Sequence, residues 1–451
     1  MKDIREGLHR HIHFRSATAL VVANVIGAGV FTTTGFQAAD LGNPILILVL
    51  WLVGGILAYC GALCFAELGA AMPHAGGEYI YLRETYGRAF GFMSAFVSLI
   101  AGFSAPIAAA VKSLVLYLKA FFPLLESDPA IIGTLHLTDL ISIVLVWLLI
   151  AIHLRGKKGA MDFNDIITML KVGGIVVIIL AAAVLGDGNI DNFTYVSDTY
   201  KEMPTTALFS AMATSLIFVM FCYSGWNAAA YVASEIIDPE KTLPKALLVG
   251  TGIVTVLYML LNAVYFYGAN VDALAGKVEV GLVASRQLFG GWGAGMVTTV
   301  LVVSLLASAS AMTIAGPRVY YALGKDIGKL RTLTRTNEGG APVNALLLQG
   351  TVTSLIIMSG NVGQILSYAG FTLALMSALA VSCVIALRIK RPEMQRPFHV
   401  WAYPLPPLFF LVVSLWTMYW AFLGRPVEST LALLTVAAGG GIFFAAALLR
   451  R

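Results

Sequence analysis

Twelve apolar stretches, each long enough to cross a bilayer, dominate the chain, at approximately 16–39, 44–72, 89–122, 137–154, 163–186, 205–234, 244–269, 295–324, 343–360, 364–388, 404–424 and 429–449. A spanning helix needs about 20 mainly apolar residues, because each backbone N–H and C=O in hydrocarbon must find its partner within the segment. Composition agrees. Of 451 residues, 59% are hydrophobic and 12% charged, and a mean hydropathy of +0.84 lies outside the range of soluble domains. The sequence therefore reads as an all-α integral membrane protein with 12 transmembrane helices. The longest polar connections are about 187–204, 269–294 and 325–342, too short for a soluble domain.

Basic residues orient the bundle, since inner loops collect Lys and Arg. With the amino terminus inside, 21 of the 29 fall in inner segments and four in outer loops: Lys201, Lys277, Arg286 and Arg425. The remaining four, Lys112, Lys119, Lys171 and Arg318, lie within spans. Both termini are thus expected in the cytoplasm, and the chain as a multi-pass protein of the cell membrane. This topology absorbs the net charge of +5 and calls for no nucleic-acid partner. Residues 1–15 read as a polar cytoplasmic arm that enters the first span without a cleavable signal; the rest, 16–451, is one transmembrane domain.

Span 1 contains "VVANVIGAGVFTTTG", residues 21–35, with glycines that each cost a helix about 1 kcal/mol against alanine. Span 6 is interrupted in the same way: "FVMFCYSGWNAAAYVASE" places Ser224 and Gly225 at its middle. Broken helices at corresponding positions in two halves mark transporters built from inverted repeats. Repeat one would cover about 16–186 and repeat two about 205–388, each opening on its broken helix, with extra helices at about 404–449. Unwinding would turn the amides of Gly27, Ala28 and Gly29 toward a cavity, where they and the restarting half-helix can cradle a carboxylate. Freed carbonyls can accept from an ammonium group. Close helix packing through Gly27 and Gly29 is the other reading of these glycines.

No Ser/His/Asp or metal-ligand group sits at one depth, so neither an enzyme nor a metal or cofactor site is expected. His9, His11 and His13 alternate along the arm without further ligands; Cys60, Cys64, Cys222 and Cys383 all lie in spans and none pairs at metal-ligand spacing, and Cys60 and Cys64, four apart on one helix face, read as packing residues. Neither break contains an acidic residue, which favours a neutral solute over a cation wanting a buried counter-charge. Gly29 and Gly225 leave room beside Phe221 and Trp226 for small to medium side chains.

Five stretches in order, "IGAGVF" (26–31), "AELGAAMPHAGGEYIYLRETYG" (66–87), "YSGWNAAAYVASEIIDPEKTLPKA" (223–246), "GPRVYYALGKD" (316–326) and "LRIKRPEMQRPFHV" (387–400), resemble the amino acid/polyamine/organocation transporter superfamily, and within it the L-type amino acid transporters. The resemblance implies the leucine-transporter fold of five-plus-five inverted repeats and two extra helices. It places Ile26, Gly27, Ala28 and Gly29 with Phe221, Cys222, Tyr223, Ser224 and Gly225 around the substrate backbone, followed by Trp226 and Asn227. Relatives often have alanine at the position of Cys222.

Lys171 lies about 12 Å into span 5 at 1.5 Å per residue, a depth at which a cation is expensive and usually functional. By the resemblance, its ammonium fills what is a sodium site in sodium-coupled cousins, bonding to carbonyls near the span 1 break and to Ser308 or Ser310. An amine there is also a candidate proton carrier. Lys112, Lys119 and Arg318 are expected to snorkel, and Glu67, Glu78 and Glu235 to do loop, cap or gating work. Eukaryotic L-type relatives attach to a glycoprotein through a cysteine between spans 3 and 4. The corresponding loop here, 123–136, has none, so no disulfide-linked accessory subunit is expected. The expected function is alternating-access transport of neutral amino acids, by sodium-independent exchange or proton-coupled symport. A cationic amino acid or polyamine carrier of the same fold, or a non-transporting amino acid sensor, are the competing readings.

Overall fold

The first apolar stretch does not form one helix. In the computed structural model, which describes residues 10–74, 76–132, 135–154, 157–326, 328–337 and 340–448, it divides into α1 (Phe14–Val25) and α2 (Thr33–Leu41), with one 3-10 turn, Gly29–Phe31, between them. His9, most of the amino-terminal arm and the terminal arginine pair lie outside the described residues. Next, α3 (Pro44–Ala71) starts on Asn43, whose side chain accepts from the Leu46 amide, with Pro44 in the first turn where no N–H is needed. A short α4 (Glu78–Tyr86) leads to α5 (Arg88–Val97) and α6 (Ala105–Leu118), joined by a π-helical stretch, Ser98–Ser104. Pro106 offers no amide to the Gly102 carbonyl, and the ladder widens just before it.

The chain continues through α7 (Leu137–Leu154), α8 (Lys157–Leu185), α9 (Asp198–Lys201), α10 (Thr205–Tyr223), α11 (Ala228–Tyr231), α12 (Pro239–Gly268) and α13 (Val271–Leu274). It ends with α14 (Val280–Asp326), α15 (Val343–Ser359), α16 (Val362–Lys390), α17 (Leu405–Gly424) and α18 (Pro426–Leu448). Gly290, at φ +68°, divides α14 into two helices. The connection expected at 269–294 is therefore itself mostly helical. One small antiparallel hairpin, Ala130–Ile132 with Leu135–His136, departs from the all-α expectation.

Among the described residues, ten helices are long and apolar enough to cross a membrane, and the chain is an integral, multi-pass membrane protein. The two remaining expected spans fall short in one piece: the first is split, and α15 has 17 residues. Two packed groups surround the first break. α12 lies against α3 and α1, and α14 against α6 and α8.

Polar groups tie the helix ends together. The Glu67 carboxylate, 2% exposed, accepts from Arg388 Nε at 2.9 Å and Nη2 at 2.6 Å and from the Val400 amide at 2.8 Å. It thus anchors α3 to the end of α16. Lys112 does not snorkel: its Nζ donates to Asp139 Oδ1 at 2.5 Å and to Ile357 O at 3.0 Å. The reason is that α6 packs inside the bundle, where the start of α7 supplies the counter-charge. Lys119 closes α6, and Arg318 is exposed. The described end of the arm is also tied down. His11 and Ile12 amides donate to Glu235 O at 2.9 and 3.0 Å, and the Ile237 amide returns a bond to Ile12 O at 3.0 Å.

Glu78, in α4 between two spans, is buried with Ser94 Oγ donating to it at 3.2 Å. Burial pushes its pKa up to about 7 from 4.5, partly offset by that hydrogen bond. Between these values the folded chain keeps a proton that the unfolded chain has lost. The stability so contributed is full below the unfolded pKa and disappears as pH rises through the folded one. Melting of the detergent-solubilised protein should therefore fall across this window, and the fall should be shallower in Glu78→Gln. Identical slopes for both proteins would remove Glu78 as its source.

Candidate functional site

Each interruption leaves backbone groups without ladder partners. The α1 ladder ends with the Ile26 amide on Val22 O at 3.2 Å and resumes with Phe31 on Ala28 O and Thr32 on Gly29 O, both at 3.1 Å. Between them Ile26 is extended, at φ −69° and ψ 93°. Among the described residues, no acceptor takes the amides of Ala28, Gly29 or Val30. The second break follows Tyr223: Gly225 sits at φ +99° and helix returns only at Ala228. A side chain at Gly225 would lie 3.1 Å from Asn24 O, so this residue needs glycine both for its φ and for the contact between the two breaks.

A small cavity lies where the breaks meet. Asn24, Val25, Gly27, Ala28 and Gly29 line it from the first, Phe221, Cys222 and Ser224 from the second, with Pro106, Ser308 and Met312 from α6 and α14. No acidic side chain is among these residues. Of the other expected binding residues, Ile26 is fully buried and turns its carbonyl to Lys171. Tyr223 donates to Trp51 O at 3.2 Å. Gly225 lies against Asn24, Trp226 packs edge-on against Phe65 at 4.7 Å, and Asn227 Nδ2 donates to Tyr231 Oη at 3.4 Å. These five stand around the cavity without lining it.

The glycines divide between the two readings of the sequence. A Cβ on Gly29 would come 2.5 Å from Cys222 Sγ and 3.2 Å from Cys222 Cα, so this glycine permits close approach. A Cβ on Gly27 would meet nothing nearer than Val25 O at 3.7 Å. That glycine borders open space.

Lys171, 1% exposed, donates to Ala23 O at 2.8 Å and Ile26 O at 2.7 Å, with Ser308 Oγ at 3.5 Å. Ser308 itself donates toward Ile26 O at 3.1 Å and Ser304 O at 3.0 Å. Ser310 does not join them; its hydroxyl meets His153 Nε2 at 3.1 Å. Two residues along a helix point to nearly opposite faces, so one ammonium cannot reach both.

Sequence reasoning missed Asn24, Val25, Pro106, Met312 and Tyr258. Asn24 carried a signal, as a polar residue within an apolar span next to the glycines. Tyr258 carried none: its hydroxyl lies 2.7 Å from Val25 O, 233 residues back along the chain, and 3.1 Å from Cys222 O, 36 residues back.

Known proteins extend these observations. The sequence profile of the family described as amino acid permease matches residues 12–444. The chain is 26% identical over 444 residues to the b(0,+)-type amino acid transporter 1 of Mus musculus, covering 97% of this chain and 88% of that one. It is 25% identical over 447 residues to the large neutral amino acids transporter small subunit 2 of the same species, covering 97% and 81%. The serine/threonine exchanger SteT of Bacillus subtilis (strain 168) is 27% identical over 443 residues, with 97% of both chains covered.

The glycine geometry makes a paired prediction. Gly29→Ala should lower thermal stability by about 1–3 kcal/mol through overpacking, whereas Gly27→Ala should melt like the wild type and weaken solute binding by narrowing the cavity. Equal loss of stability in both variants would contradict the division.

Proposed function

The chain belongs to the amino acid permease family, and from that membership we propose that it is a secondary active transporter moving small to medium neutral amino acids by sodium-independent exchange. The observation that carries this is the meeting of two interrupted helices at one cavity, with the amides of Ala28 and Gly29 unclaimed at its wall. Those amides suit the α-carboxylate of an amino acid. Carbonyls at the ends of α1 and α10, with spare lone pairs, suit its ammonium. The absence of an acidic lining residue favours a neutral side chain over a cationic one or a polyamine.

In this reading Gly27, Ala28, Gly29, Phe221, Cys222 and Ser224 line the substrate site, with Ile26, Tyr223, Gly225, Trp226 and Asn227 surrounding it. Lys171 does the work of a sodium ion: its three protons have three oxygen partners, Ala23 O, Ile26 O and Ser308 Oγ. The exchanger activity in the name of the Bacillus relative supports exchange over proton symport. Two broken helices, each opening one half, support 12 spans in five-plus-five inverted repeats with two extra helices. Repeat one would take 16–186 and repeat two 205–388. The basic-residue asymmetry supports cytoplasmic termini and insertion in the cell membrane. All four cysteines are free and none lies in the outer loop 123–136, which supports function without a disulfide-linked subunit.

Purified protein in liposomes preloaded with unlabelled neutral amino acids should take up labelled serine or alanine. Empty liposomes should not, and replacing sodium by potassium should leave the rate unchanged. No flux of any amino acid, or strict dependence on sodium, would overturn the proposal. Lys171→Ala leaves Ala23 O without its donor, at a cost of about 1–3 kcal/mol, and Ile26 O with Ser308 alone, and uptake should fall about tenfold or more. Wild-type uptake in that variant would take the lysine out of the mechanism.

A further inference from the structure

Along the first break, hydrogen-bonded carbonyls stand on both sides of the unclaimed amides. Before Gly27, Ile26 O accepts from Lys171 at 2.7 Å. Beyond Gly29, Phe31 O accepts from the hydroxyl of Tyr117, in α6, also at 2.7 Å. The ladder leaves Phe31 O to this donor, because the Gly35 amide, which an α-helix would send to Phe31 O, bonds Thr32 O at 3.3 Å instead. Tyr117 itself is fully buried.

The same hydroxyl accepts from the Gly281 amide at 3.1 Å. Gly281 lies in the first turn of α14, where an amide has no partner within its own helix. One phenol thus donates to the restarting half of the broken helix and accepts from a second helix, and the two bonds polarise one another. Phe31 and Gly281 are buried as well. Both contacts cross between packed groups: α6, α8 and α14 lie together, and α1 lies with α12, which also packs on α3. Lys171 of α8 and Ser308 of α14 cross to the first break at Ile26 O, and Tyr117 of α6 crosses to it at Phe31 O. A solute enters from one side only if the crossing on that side parts while the other holds.

We propose that the Tyr117–Phe31 hydrogen bond is the latch of the outer gate: it closes the restarting half of the broken helix against α6 and α14, and parts when the cavity opens to the outside. This rests on the transport reading and the orientation above. It goes further by naming the side chain that sets how much of the solute-free protein faces outward.

Cys222 reports the opening, since it is a free cysteine lining the cavity. In a transport-competent background carrying Cys60→Ala, Cys64→Ala and Cys383→Ser, a charged, membrane-impermeant methanethiosulfonate is applied to right-side-out and to inverted vesicles. Tyr117→Phe leaves Phe31 O and the Gly281 amide unpaired in the closed form, so labelling from outside should quicken about tenfold. Labelling from the cytoplasmic side should slow. A merely structural role would quicken both, so a symmetric change, or none, overturns the proposal. Should Tyr117→Phe not fold, 3-fluorotyrosine introduced at 117 keeps the shape and makes the phenol a stronger donor. Labelling from outside should then slow about twofold; unchanged or faster labelling overturns the proposal equally. If wild-type Cys222 is labelled from neither side, or no amino acid protects it, the transport reading has failed and the latch falls with it, whatever Tyr117→Phe does.

Discussion

In hydrocarbon a peptide group without a hydrogen bond costs several kcal/mol, and the structure is organised around how it meets that cost at two places where helices stop. At the end of α1, Val22 O keeps its ladder bond to the Ile26 amide. Ala23 O and Ile26 O go to Lys171, and Val25 O goes to Tyr258. Phe31 O, beyond the 3-10 turn, accepts from Tyr117 at 2.7 Å. At the end of α10, Phe221 O accepts from the Ser224 amide and Cys222 O from Tyr258. The carbonyls are largely supplied from the protein, while the amides of Ala28 and Gly29 are not. Unclaimed donors and partly used acceptors are thus brought together among the lining residues, and the proposed amino acid site rests on that polarity.

The suppliers come from different packed groups. Lys171 reaches α1 from α8, with Ser308 of α14 beside it; Tyr258 reaches it from α12, braced by α3. α1 is thus held by hydrogen bonds to two bodies at once, within a stretch of four residues. A helix end bonded on both sides can change partner on one side while keeping the other. A hinge in an alternating-access cycle needs that property.

The interruption of both spans was legible because glycine and serine in an apolar run contradict the helix that hydrophobicity demands, and no tertiary knowledge is needed to see the conflict. Lys171 was legible for the same reason, as a charge at the wrong depth. The partners were less so. Ser308 and Ser310 are equivalent in sequence, and only the rotation of α14 decides that the first meets Lys171 and the second His153. Tyr258 looks like any interfacial or packing aromatic until α12 is laid against α1. Lys112 read as a snorkelling residue because Asp139 lies 27 positions away, on another helix. What the sequence withheld was long-range pairing, which depends on helix rotation and not on composition.

Both ends of the broken helices are also tied by backbone bonds. On one face the arm before α1 bridges to the segment after α11, through Ile12 and residues Glu235 to Ile237. On the other, the Gly276 amide donates to Gly35 O at 2.8 Å, joining α2 to the turn after α13, and the Ser197 amide donates to Gly42 O at 2.9 Å. The two sets differ in kind. The first joins one broken helix to the other, so α1 and the segment after α11 would have to travel together. The second joins α2 to loops outside the broken pair, and can be released without disturbing that partnership. An opening on the α2 face then costs a few backbone hydrogen bonds that water can replace, each worth about 0.5–1.5 kcal/mol net. In the proposed transport cycle, an opening on the arm's face would instead have to move both discontinuous helices as one unit about the Lys171 and Tyr258 contacts.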